Sequence, residues 1–199
     1  LDEDFEACKI RKAVAECLIN SAVYGTGIGE VVLEEIKEMA PASQPMMGGE
    51  LKAVGVTIRD RVAIKLKPIL PQNFLIDPVA TSVEDAYGVA IDEFVSKHSV
   101  ELLQEQGIYR EGAIESAAAN TNLEPDQDLA IYNDDKVRLT KYYGLVPRDL
   151  LEEEGVDIDE DNKSMYVEAV VVIANSGTLL KAEANPCMMG DRPVVAFPW

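Results

Sequence analysis

The segment "MYVEAVVVIANSGTLLKAEA", residues 165–184, constrains the fold more than any other. Two largely apolar runs, the first rich in Val and Ile, are separated only by Asn-Ser-Gly-Thr, a four-residue turn too short for anything but a reversal between antiparallel strands. A parallel crossover needs a dozen or more intervening residues. Residues 165–174 and 178–184 are therefore predicted as a β-hairpin, and residues 137–146 and 87–95 as further strands. Val54, Val56 and Ile58 alternate, as do Val62, Ile64 and Leu66, with Asp60 and Arg61 between them. This pattern predicts a second hairpin with one buried face.

Helices are expected elsewhere. Residues 4–23 carry apolar side chains at helical spacing, and Gly25 and Gly27 then break the chain before a strand over residues 28–36. Residues 37–50, with two prolines and two glycines, are predicted as a loop. Pro68, Pro71 and Pro78 impose an extended connection with turns. Ser99 is expected to cap a short helix through Gln106 that Gly107 ends, with a second helical piece over residues 110–121. A polar stretch follows, and a subdomain boundary is expected near residues 121–135. Residues 147–164 read as a short acidic helix and loop. The expected class is α+β, with antiparallel strands and hairpins and separate helices, and no internal repeat is found. Neither end reads as a natural terminus, so residues 1–199 are expected to be a fragment of something longer.

The glycines of "YGTGIGE" invite a nucleotide reading. A dinucleotide fingerprint requires a strand, then G-x-G-x-x-G, then a helix whose free N–H groups meet the phosphate. Here Gly29 comes one position early, Glu30 stands where the third glycine belongs, and a helix enters where a strand should. The helix end facing the turn is the one that repels anions. No Lys-Ser or Lys-Thr follows, so the P-loop fails as well. Gly25 and Gly27 are read as a structural turn from helix to strand that needs unusual backbone angles.

Composition narrows the function. With 18 Lys and Arg against 36 Asp and Glu, the net charge of −18 opposes general binding to nucleic-acid phosphates. No apolar run reaches the roughly 18 residues needed to span a bilayer, so no membrane partner is expected. No signal sequence is read. Three cysteines, Cys8, Cys17 and Cys187, are too few for a disulfide scaffold.

Three groups of residues remain as candidates. Asp157, Asp159 and Asp161 alternate, and Glu168 stands at the twelfth position of an EF-hand-like loop, a spacing that matches a calcium site. Asn162 replaces the glycine of that motif, Ser164 its apolar residue, and Glu168 falls on a predicted strand. His98, the only histidine, has no Cys/His cluster around it in the sequence and reads as a polar residue between a strand and a helix. Arg59, Arg61, Lys65 and Lys67 form the only basic cluster, suited first to pairing with an acidic surface of a neighbour and second to a local nucleic-acid contact. No catalytic residues and no cofactor are expected; a carboxylate-based hydrolase is the third reading, with no residue singled out.

Longer stretches carry a resemblance. "CLINSAVYGTGIGEVVLEE", "LKPILPQNFLIDPVATSVEDAYGV" and "VVVIANSGTLLKAEANPCMMGDRPVVAFPW" together are similar to the portal proteins, or head-to-tail connectors, of short-tailed double-stranded DNA bacteriophages. The matching positions are Tyr24 to Gly27; then Pro71, Asn73, Phe74, Asp77, Pro78 and Ala80; then Asn185, Pro186, Pro193, Val194, Val195 and Pro198. Val194 stands where that family often has an aromatic residue. The resemblance implies a wing-region fragment of a homo-oligomeric ring, typically a dodecamer, at one capsid vertex of the virion, made in the cytoplasm of a bacterial host. Implied partners are other portal subunits, the capsid protein, a tail adaptor, the terminase motor, and double-stranded DNA that passes during packaging and ejection without sequence-specific binding. The stem, clip and crown would lie outside residues 1–199. The resemblance carries over no catalytic residue. The alternative expectation is a calcium-dependent binding module using residues 157–168.

Overall fold

The computed structural model describes residues 9–45, 51–112, 136–158, 164–175, 177–187 and 191–198. The fold is α+β: among the described residues it has antiparallel sheets containing eight strands, with three separate helices. The chain divides into two compact units, one comprising residues 1–68 with 197–199 and the other residues 69–196. The boundary expected near residues 121–135 lies outside the described residues.

In the first unit, helix α1 (Ile10–Tyr24) turns at Gly25 directly into strand β1 (Thr26–Pro45), which is followed by β2 (Leu51–Ile69). The sheet order is β2-β1-β8, and of β8 (Val194–Pro198) only Phe197 and Pro198 belong to this unit. Two expectations are corrected here. Residues 37–45, read as loop, continue β1. At 20 residues β1 far outruns the five-residue β8, so among the described residues its distal part has β2 as its only strand neighbour, and an edge tolerates Pro41 and Pro45. Residues 54–66 are one continuous strand, with no turn at Asp60 and Arg61. The physical reason lies in the phase of the alternation: Val54, Val56, Ile58, Val62, Ile64 and Leu66 are all even-numbered, so the pattern keeps one phase across Asp60 and Arg61, as a single uninterrupted strand does.

The second unit begins with a single 3₁₀ turn (Pro71–Asn73) and β3 (Phe74–Ile76), within the stretch expected to be connection only. It continues through β4 (Gly88–Ser96), helix α2 (Lys97–Glu105), β5 (Lys136–Pro147), helix α3 (Arg148–Glu153), β6 (Tyr166–Ala174) and β7 (Thr178–Ala184). The sheet order β3-β4-β5-β6-β7 follows the chain, every pair antiparallel. The hairpin at residues 174–178 forms as expected: Asn175 takes a left-handed conformation, and its side-chain oxygen accepts from the Arg138 N–H at 3.1 Å. Helix α2 is capped by Ser96, whose hydroxyl accepts from the Ser99 N–H at 3.2 Å, so the cap lies three residues before the one expected.

Alternation buries both faces of this sheet. Val137, Leu139, Val172, Ala174 and Leu180 pack with Val100 of α2, while Val167 and Ala169 pack with Leu151 of α3. Val172 belongs to the first group and Val171 packs against the second, as opposite pleats require. Each helix thus covers a different face.

Candidate functional site

The densest polar constellation in the second unit centres on Arg192, whose side chain is only 5% exposed. Its guanidinium donates to the Val83 carbonyl at 2.7 Å, to the Tyr87 carbonyl at 3.2 Å and to Glu168 Oε1 at 2.7 Å. A guanidinium this buried needs both a counter-charge and acceptors, and Glu168 with two main-chain carbonyls supplies them. Tyr87 O also accepts from the Leu145 N–H at 2.9 Å, which ties the entry of β4 to β5.

The local sequence explains why Arg192 arrives there. Asn185 donates its main-chain N–H to the Glu168 carbonyl at 2.8 Å. Its side chain accepts from the Cys187 N–H and donates to the Asp191 carbonyl, both at 3.0 Å. This Asx turn closes the connection on itself and delivers the next residue, Arg192, to Glu168. Gly88 and Gly144 face each other in the β4–β5 register. A Cβ on Gly88 would stand 2.2 Å from the Tyr142 hydroxyl, and one on Gly144 2.4 Å from the Gly88 Cα. The two glycines make room for the Tyr142 phenol, which donates to the Leu145 carbonyl at 3.2 Å. Burial pushes the Tyr142 hydroxyl above its ordinary pKa; Arg192 opposes the shift and Glu168 adds to it. The arrangement holds five chain segments in register.

Two of the four residues at calcium-ligand spacing fall among the described residues. Glu168 lies on β6 with Oε1 held by Arg192, and Asp157 is exposed after α3. Asp159 and Asp161 lie outside the described residues. Among the described residues no group of three or more His, Cys, Asp or Glu is placed to hold a metal ion. His98 is exposed in the first turn of α2, 3.9 Å from Glu101. A shallow depression of about 340 Å³ nearby is lined by Glu101, Gln104, Glu105, Glu111 and Gly112. Among the described residues no helix is long and apolar enough to cross a membrane.

The basic cluster lies along one strand, not on two arms of a hairpin. Arg59, Arg61, Lys65 and Lys67 all fall on β2, and the odd-numbered Arg61, Lys65 and Lys67 share a face. Lys65 forms an ion pair with Glu34 of β1 in its own chain, Arg61 is exposed and Lys67 half-buried.

The glycine turn is built as expected in outline but by two different means. Gly25 caps α1 at φ +86°, donating its N–H to the Ser21 carbonyl at 2.8 Å. Gly27 has no positive φ; a Cβ there would lie 2.0 Å from the Cys17 carbonyl oxygen. Space, not backbone angle, requires that glycine. Beside it Cys17 is fully buried, its Sγ 3.5 Å from the Ile28 carbonyl, and burial with the Glu16 carboxylate pushes its thiol up. Cys187 is exposed, and Cys8 lies outside the described residues.

Sequence reasoning missed Arg192, since a single arginine in "GDRP" resembles any surface cation. The one available signal was its place after an Asn-Pro turn. No protein-family model matches the chain, and no curated protein matches it.

Proposed function

We propose that this chain is a structural subunit of the portal ring of a short-tailed double-stranded DNA phage, contributing wing-region surface to the head-to-tail docking site and the DNA passage. The observation that supports this reading best is where the residues of the resemblance fall. Gly25 and Gly27 form the α1–β1 reversal, Asp77 accepts from the Val79 N–H at 3.0 Å to shape the turn after β3, and Asn185 closes the loop that positions Arg192. Each position has a load to carry in the scaffold. A ring through which DNA slides also gains from a surface of net charge −18, because each phosphate left unneutralised withholds the counterion release that would grip it. The capsid protein, tail adaptor and terminase are the proposed partners of the ring, and the chain itself is proposed to have no enzymatic role.

Electron microscopy of the full-length protein tests the reading. Closed rings of many copies with a central channel are expected, and a strictly monomeric particle overturns it.

A further inference from the structure

No further inference is drawn: the strongest candidate, the apolar strip that Leu33, Val62 and Ile64 leave exposed on the β1–β2 ribbon, carries nothing because nothing in the structure shows what covers it.

Discussion

The five-stranded sheet and the β1–β2 ribbon are both antiparallel, yet they hold themselves together in opposite ways. The sheet has a helix on each face and its strand entries tied by Arg192, so the two apolar clusters under those helices and the Arg192 charge find partners within the unit, while Leu75, Phe94 and Tyr166 at other positions of its strands stay exposed. The ribbon is anchored at its root by α1 and then exposes Leu33, Val62 and Ile64. The first region carries its own core. The second is stable in proportion to what it meets.

That contrast is open to test at the root itself. In Gly27→Val the new side chain collides with main chain, the Cys17 carbonyl, which cannot swing aside as a side-chain tip could. Helix α1 should detach from β1, and the first unit should lose its cooperative unfolding transition while the five-stranded sheet keeps its own. Hydrogen exchange read by mass spectrometry separates the two, with protection lost over residues 10–33 and retained over residues 137–146. Equal loss in both regions would show that the sheet is not self-sufficient.

The next largest effect strikes the sheet. Glu168→Ala leaves the nearly buried Arg192 guanidinium without its counter-charge, and breaking such a pair costs about 3 kcal/mol. Urea unfolding of the second unit should register that loss. Adding Arg192→Met to the same chain should recover part of it, since the stranded charge is then gone. A cost below about 0.5 kcal/mol, typical of surface pairs, would place this pair with the exposed ones.

How far these two regions could be read in the sequence follows the same division. The sheet was legible: residues 137–146, 165–174 and 178–184 alternate over short runs, and Asn-Ser-Gly-Thr leaves no choice of connection. The ribbon was not, because Asp60 and Arg61 look like a turn unless the unbroken even-numbered phase from Val54 to Leu66 is weighed against them. Lone polar residues were the hardest. Ser96 and Ser99 are equally good caps on paper, and only the backbone shows which of them accepts. Glu168 stands at a calcium-ligand spacing in the sequence, and its observed partner, Arg192, lies 24 residues away. Contacts of that range are set by the register of β6 and the Asx turn at Asn185, neither of which a local pattern encodes.

A smaller effect is expected at Gly25, and it sharpens the account of the root. Nothing lies within 4 Å of a Cβ placed there, so Gly25→Ala meets no obstacle and bears only the strain of φ +86°. That strain is about 1 kcal/mol. Thermal unfolding of the first unit should therefore shift modestly, far less than for Gly27→Val two residues on. Similar losses at the two positions would mean that the turn is governed by backbone angle alone.

The smallest effect is a matter of pH and belongs to the sheet. The Tyr142 phenol is held neutral by burial among Gly88, Gly144 and Leu145, so its folded pKa stands above its unfolded one. The folded state then binds the proton more tightly, and stability falls as pH rises wherever the unfolded state has already lost it. The contribution is complete below the ordinary tyrosine value of about 10 and is lost as pH climbs through the higher folded value. The decisive comparison is with Tyr142→Phe. That variant forfeits the 3.2 Å bond to the Leu145 carbonyl, about 1 kcal/mol at neutral pH, but has no phenol to ionise. Plotted against pH, the stability of the wild-type second unit should approach that of the variant above pH about 10. Parallel curves would mean that the ring reaches water on ionisation without disturbing the two glycines that enclose it.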